Sequence, residues 1–149
     1  MNLLEVITND MKEAMKEKDS FKLGVIRMAK GSIDLEKINK KQELTESEII
    51  DVISKQIKMR KESIIEFEKA CRNDLVEKNT KEIEILNKYM PEQLSDKEIE
   101  TIINQTFSNI NPTSIKDMGK VMGELTPLLK GKADMSKVGA DIRKKLENL

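Results

Sequence analysis

Six lysines in the last third of the chain are the side chains whose type and spacing best suit ligand binding. They lie one helical turn apart, on either side of a glycine, or on one face of the last predicted helix: Lys116, Lys120, Lys130, Lys132, Lys137 and Lys144. Residues 116–145 contain eight basic residues against four acidic ones, although the whole chain has 27 of each. Such a local excess is typical of surfaces that contact nucleic-acid phosphates.

Two glycines accompany the first pair of these lysines. Gly119 and Gly123 are one helical turn apart and stand on either side of Lys120. A missing side chain lets another backbone approach closely, either a neighbouring helix or a sugar-phosphate chain. Two interpretations therefore stay open: glycines for helix packing beneath a solvated basic face, or a surface that follows the phosphates of RNA.

The side chains that carry most enzyme and metal chemistry are scarce. The chain has no histidine, which excludes triads and zinc sites that need imidazole. Its single cysteine, Cys71, falls on the apolar side of a predicted helix and is expected to be a small core residue. Phe21, Phe67, Tyr89 and Phe107 are too few for a base-stacking platform. We predict no catalytic residue, no cofactor and no metal, and the residues leave open whether the chain assists an enzyme.

One arginine interrupts an apolar stripe. At 100° per residue, Arg60 falls between Ile53 and Ile64 on the third predicted helix. A buried guanidinium has to be paired, and Glu82 lies within the apolar stripe of the next helix. We predict a structural Arg60–Glu82 ion pair, which is favoured over a functional arginine.

Apolar residues recur at helical spacing throughout, and no more than two are ever adjacent, so the pattern predicts an all-α protein. The predicted N-terminal lobe has four helices, at about Leu3–Lys18, Phe21–Lys40, Glu46–Cys71 and Asp74–Tyr89. The second of these has two apolar faces and should lie between neighbours. Pro91 ends this lobe, and Ser95 begins a three-helix lobe. The predicted domains are residues 1–90 and 95–149.

The same pattern bears on location. No apolar run is long enough to span a bilayer, so no membrane partner is expected. The N-terminus has neither a basic segment nor a continuous apolar segment of the kind found in signal peptides. Together with one unpaired cysteine, these features favour a cytoplasmic protein.

Several segments together resemble the GatB/YqeY family, in the order and spacing of a stand-alone YqeY-like protein. They are Leu23–Lys30, Lys55–Ser63, Arg72–Leu75, Tyr89–Leu94, Met118–Gly123 and Lys130–Asp134. The order and spacing cover nearly the whole chain. One departure is Cys71, which stands where the family pattern has a glycine before the arginine of its GR-x-DL junction, so the turn there is expected to differ.

The resemblance implies a helical N-terminal lobe and a three-helix lobe related to the tail of the B subunit of glutamyl/aspartyl-tRNA amidotransferase. That tail engages tRNA, which would place the six lysines on the RNA side. The resemblance thus favours a non-catalytic module that binds tRNA or a tRNA-charging or amidotransferase enzyme. The alternatives are an accessory to glutamine-dependent carbon–nitrogen ligation and a protein-docking helical scaffold without RNA. The oligomeric state stays open.

Overall fold

The computed structural model describes residues 2–149, and this range folds into α-helices without a β-strand. The predicted all-α class is confirmed. The helices are α1 (Leu3–Glu17), α2 (Ser20–Lys40), α3 (Glu46–Lys69), α4 (Asn73–Asn87), α5 (Asp96–Ile110), α6 (Met118–Leu129) and α7 (Met135–Glu147), with a 3-10 turn at Ile115–Asp117. None of the helices in the described range is long and apolar enough to cross a membrane.

The chain divides into two compact units, Met1–Met90 and Pro91–Leu149. In the first unit, α2 packs against α1, α3 and α4, and α3 pairs along α4. The centre of this core consists of fully buried aliphatic side chains: Ile7, Ile26, Ile33, Ile53 and Leu86. In the second unit, α6 packs against α5 and α7 around a separate aliphatic core: Val121, Leu125, Leu129 and Ile142.

Polar side chains fix where most of the helices begin. Thr45 accepts from the Glu48 amide, and the Glu48 carboxylate accepts from the Thr45 amide, which forms a capping box before α3. Ser95 accepts from the Glu98 amide at the start of α5. Asp134 accepts from the first amides of α7, as its position before the apolar stripe predicts.

The start of α4 differs from the prediction. The sequence predicts that this helix begins near Asp74, whereas it begins at Asn73 and has no side-chain cap. The guanidinium of Arg72 instead holds both oxygens of the Asp74 carboxylate, at 3.1 and 3.0 Å. That carboxylate is therefore engaged by an ion pair at the helix start.

Cys71 is exposed, so its predicted place in the core is wrong. α3 ends at Lys69, two residues before the predicted end, which moves Cys71 from the apolar stripe into the turn. Its φ is 56°, and the amides of Cys71 and Arg72 donate to the carbonyls of Glu68 and Phe67. This bonding is the Schellman arrangement, which favours glycine at the left-handed position. The turn thus keeps a glycine-type conformation around a cysteine.

The second apolar face of α2 is also placed differently from the prediction. This face contains Val25, which is buried, and Phe21, Met28 and Leu35, which are exposed. α2 therefore packs within its own unit through the stripe that contains Ile26 and Ile33, and its outer apolar face has no cover within that unit.

Candidate nucleic-acid interface

The exposed side of α6 combines lysines with bare backbone. We call it the α6 face, and it consists of Lys116, Gly119, Lys120, Gly123, Pro127 and Lys130, all of which are exposed. A Cβ atom added at Gly119 or at Gly123 would meet no heavy atom of another element within 4 Å. Within the described residues, the two glycines therefore do not serve close packing against another helix.

Pro127 adds an acceptor to the α6 face. It lies inside α6, where a proline has no N–H to donate to the carbonyl four residues earlier. That carbonyl belongs to Gly123, which has no side chain to cover it. The next hydroxyl, Thr126 Oγ1, donates to the Met122 carbonyl at 2.6 Å and so does not serve Gly123.

A carboxylate holds the loop before α6 in shape. Asp117 Oδ2 accepts from the Thr113 amide at 2.8 Å and from the Thr113 hydroxyl at 3.2 Å. The hydrogen bond from the Thr113 amide lowers the pKa of the Asp117 carboxyl against the opposing effect of burial, and the positive charge of Lys120 lowers it further. The Lys116 amide donates to Ser114 Oγ. Lys116 therefore projects from a braced turn rather than from a loose loop.

The turn after α6 is fastened within the second unit. Gly131 has a φ of 78°, which suits a residue without a Cβ. Its carbonyl accepts from Gln93 Nε2 at 2.7 Å, and the Lys132 carbonyl accepts from the Leu94 amide at 2.9 Å. Lys130 and Lys132 are exposed on either side of this anchored glycine.

The other predicted lysines lie at a different feature. Lys132, Lys137 and Lys144 line a groove of about 730 Å³ between α5 and α7, which we call the α5–α7 groove. Its apolar lining includes Ile103 and Val138. Four lysines and four carboxylates share its walls: Lys132, Lys137, Lys144, Lys145, Asp96, Glu100, Asp134 and Asp141. The groove is therefore charge-balanced, and the basic excess is not concentrated there.

Two lysines at this groove have partners in the unit itself. Lys137 Nζ lies 3.7 Å from Asp96 Oδ1. Lys145 Nζ donates to Asn104 Oδ1 at 2.7 Å and lies 5.4 Å from the centre of the Phe107 ring. The structure thus separates the six predicted lysines into Lys116, Lys120 and Lys130 beside the glycines of α6, and three others at the groove.

In the first unit, Arg60 is buried beside Glu82, the carboxylate in the apolar stripe of the next helix. Arg60 Nε donates to Glu82 Oε2 at 2.8 Å, with both side chains largely withdrawn from solvent. Its Nη1 donates to the carbonyl and to the side-chain oxygen of Gln56, whose amide donates to Ser32 Oγ. These bonds connect α2, α3 and α4, so the role of Arg60 is structural.

A second buried polar cluster was missed from the sequence. Asp10 lies among the buried residues of α1, and its Oδ2 accepts from Tyr89 Oη at 2.6 Å and from Lys88 Nζ at 3.0 Å. Burial alone would raise the pKa of the Asp10 carboxyl, but these two donors outweigh it and hold that pKa below its ordinary value. Burial raises the pKa of the Tyr89 phenol, and the bond to Asp10 raises it further. The sequence signal for this cluster is that Asp10 falls on the same face of α1 as Ile7 and Ala14.

The fold and the α6 face define an all-α protein of two helical units, in which one helix exposes two glycines near three lysines. Comparison with known proteins adds the family: the sequence pattern of the family described as Yqey-like protein matches residues 4–146. The chain therefore belongs to the YqeY-like family.

Three of the curated relatives have the printed name "Altered inheritance of mitochondria protein 41, mitochondrial". The protein from Pyrenophora tritici-repentis is 32% identical over 83% of this chain and 69% of its own length. The protein from Candida glabrata is 37% identical over 61% of this chain and 51% of its own length. The protein from Kluyveromyces lactis is 40% identical over 58% and 47%, respectively. The matched region is thus about half the length of two of these relatives.

These names correct the expected location. The sequence favoured a cytoplasmic protein, and that expectation is wrong, because the relatives are named as mitochondrial proteins. The inference rested on an unpaired cysteine and on the lack of a continuous apolar leader. Segments that direct proteins to mitochondria are amphipathic rather than continuously apolar, so the absence of an apolar run does not separate the two locations.

Proposed function

We propose that this chain is a non-catalytic RNA-binding module that contacts the sugar-phosphate backbone of tRNA through the α6 face. The observation that carries the proposal is the open space at Gly119 and Gly123 beside Lys116 and Lys120. A helix face that has cations at its margin and no side chains at its centre admits a phosphate backbone at close range.

The charges of the α6 face support phosphate contact. Lys116, Lys120 and Lys130 lie before, within and directly after α6, and the acids nearest to Lys120 in sequence are Asp117 and Glu124. Lysine ammonium groups are compact point charges that suit phosphate oxygens. Binding through them releases counterions, so affinity should fall steeply as salt rises.

The exposed backbone supports RNA in particular. Pro127 has no N–H to donate to the Gly123 carbonyl, and we propose that this carbonyl accepts from a hydroxyl of the ligand instead. The 2′-hydroxyl of RNA is such a donor and is absent from DNA. The resemblance to the tRNA-engaging amidotransferase tail favours tRNA as the class of RNA that is bound.

Recognition by this surface should depend on shape rather than on base sequence. The α6 face has no aromatic side chain and no arginine, which are the groups that stack on bases or bind their edges. We therefore expect similar affinity for several folded tRNAs.

Three matched triple-alanine variants test the proposal by tRNA binding as a function of salt. The first changes Lys116, Lys120 and Lys130 on the α6 face. The second changes the groove residues Lys132, Lys137 and Lys144. The control changes three exposed lysines of the first unit: Lys12, Lys16 and Lys61.

We expect the first triple to flatten the slope of log affinity against log salt by roughly 0.7–0.9 for each lysine that contacts a phosphate. The control triple should leave the slope unchanged. Equal losses from all three triples would show diffuse attraction, and loss from the groove triple alone would contradict the role of the α6 face.

The same protein preparation separates the alternatives. If the wild type does not bind tRNA at low salt, the RNA proposal is wrong, and a protein-docking scaffold becomes the better account. Incubation with glutamine, ATP and mischarged tRNA tests the accessory role in carbon–nitrogen ligation. Glutamine-dependent product formation by the chain alone would contradict a non-catalytic module.

A further inference from the structure

The outer face of α2 carries an exposed stripe with the spacing of a coiled-coil seam. Its members follow one another at intervals of three and four residues: Phe21, Gly24, Met28, Gly31, Leu35 and Ile38. The four large side chains are exposed, and the exposed fraction rises to 58% for Met28, 60% for Leu35 and 69% for Ile38. Alternating intervals of three and four are those by which one helix meets another along its length. We call this surface the α2 seam.

Within the described residues, neither packing nor backbone conformation requires the two glycines of the α2 seam. Gly24 and Gly31 lie inside a long helix, where glycine is among the poorest helix formers. A Cβ atom at either position would meet no heavy atom of another element within 4 Å, and neither residue has a positive φ. Each glycine therefore leaves a hole on the outer surface that nothing in this chain fills.

We propose that the α2 seams of two copies of this chain pack against each other in antiparallel orientation and form a homodimer. An antiparallel two-fold axis midway between Met28 and Gly31 places each of these residues opposite the other in the second copy. The same register places Gly24 opposite Leu35. Every glycine hole then receives a large side chain, as in knobs-into-holes packing.

The ends of the seam follow the same register, which sets Phe21 opposite Ile38 of the second copy. A parallel pairing would instead place glycine opposite glycine and methionine opposite methionine. The large layers would then hold the helices apart, and the glycine layers would remain empty. The sizes of the side chains therefore favour the antiparallel arrangement.

Charges beside the seam favour the same arrangement. In the antiparallel register, Arg27 lies next to Asp34 of the second copy, and the two-fold axis repeats this pair. Within the protomer, Asp34 is half-exposed and pairs with Lys30 of its own helix, at 3.3 Å. In a parallel register Arg27 would face Ser32, which offers no charge. Oppositely charged flanking positions select partner orientation in helix pairs.

Apolar surface beside the seam extends the contact. Met59 of α3 is exposed and lines a groove of about 480 Å³ with Leu35 of the seam. Arg60 Nη2 lies 3.9 Å from Met28 Sδ, so Met28 is in contact with the ion-pair network beneath it. A contact that includes both helices buries more apolar area than α2 alone, which a stable dimer needs.

Sedimentation velocity of the full chain over a range of concentrations tests the proposal. We expect the wild type to dimerise and Gly31→Met to raise the dimer dissociation constant by at least about tenfold, because methionine would then face Met28. Adding Met28→Gly to that variant exchanges the two sizes and should restore the dimer. A variant with a charge in the seam, Met28→Lys, should be monomeric, whereas Met15→Lys on α1 should dimerise as the wild type does.

A charge exchange tests the orientation by a route that leaves the helix packing unchanged. Arg27→Asp should weaken the dimer by placing two carboxylates together, and the double variant Arg27→Asp with Asp34→Arg should restore it. A wild type that stays monomeric at every concentration would overturn the proposal. So would a dimer that is insensitive to Gly31→Met and Met28→Lys, or a charge-exchanged variant that shows no recovery.

Discussion

The phenol of Tyr89 donates to Asp10 Oδ2 at 2.6 Å, which joins the first helix to the residues that follow the fourth. The two residues are 79 positions apart in the sequence, and both are buried. The bond therefore closes the first unit at its end, where Lys88 supplies a positive charge to the same carboxylate.

This relationship predicts a stability that depends on pH. Burial opposes ionisation of Asp10, but Tyr89 and Lys88 hold the pKa of its carboxyl below the ordinary value. The resulting stabilisation is complete above the pKa of an unfolded aspartate, about 3.9, and is lost as the pH falls through the lower folded pKa. Urea unfolding should show Asp10→Ala destabilised by about 1–3 kcal/mol at pH 7. The gap from the wild type should narrow below about pH 4, and a gap that widens with acid would contradict this account.

The Arg60–Glu82 pair predicts a large effect from a single truncation. Arg60→Ala leaves the largely buried Glu82 carboxylate of α4 without its partner, so we expect a loss of about 3–5 kcal/mol in the free energy of unfolding. The matched control is Arg72→Ala, which breaks an exposed pair with Asp74 and should change stability little. Similar losses from both variants, measured by chemical unfolding, would show that burial of Arg60 does not matter.

The left-handed turn at Cys71 predicts a stabilising substitution. A residue with a Cβ is strained at a φ of 56°, and glycine is not, so Cys71→Gly should raise stability by about 0.5–1 kcal/mol. Cys71→Ala keeps the Cβ and should change stability little. Thermal unfolding distinguishes the two variants, and a destabilised glycine variant would show that the cysteine side chain itself makes a needed contact.

The two compact units predict separable domains joined near Pro91. Gln93 and Leu94 are tied to the turn after α6, so limited proteolysis should cut first just before them, at residues 90–92. Each unit has its own buried aliphatic core, and each half should therefore keep helical circular dichroism. First cleavage elsewhere, with loss of helicity in either half, would favour a single shared core.

Features governed by local rules could be predicted from the sequence. Thr45 and Asp134 cap helices because their side chains reach amides only two or three residues away. Arg60 interrupts an apolar stripe, and a carboxylate in the stripe of the next helix is its partner in the structure. Such positions require only helical periodicity and the cost of leaving a charge unpaired.

Features set by where a helix ends, or by contacts between residues distant in sequence, could not be predicted from the sequence. A helix that continued to residue 71 would carry Cys71 onto the apolar stripe, because each residue turns the helix by 100°. α3 ends at Lys69, so Cys71 lies in the turn instead. The bond between Asp10 and Tyr89 depends on how α1 meets the end of α4. The charge balance of the α5–α7 groove likewise arises from carboxylates on two helices that are far apart in sequence, such as Glu100 and Asp141.

If RNA backbone lies against the glycines of the α6 face, a bulky substitution there should block binding without changing any charge. Gly123→Leu fills open space on an exposed helix, so the fold should be preserved. The control is Gly139→Leu on α7, where a Cβ likewise meets no heavy atom of another element within 4 Å. We predict that Gly123→Leu weakens tRNA binding by at least about tenfold at fixed salt, while Gly139→Leu binds as the wild type does. Equal binding by the wild type and Gly123→Leu would contradict the claim.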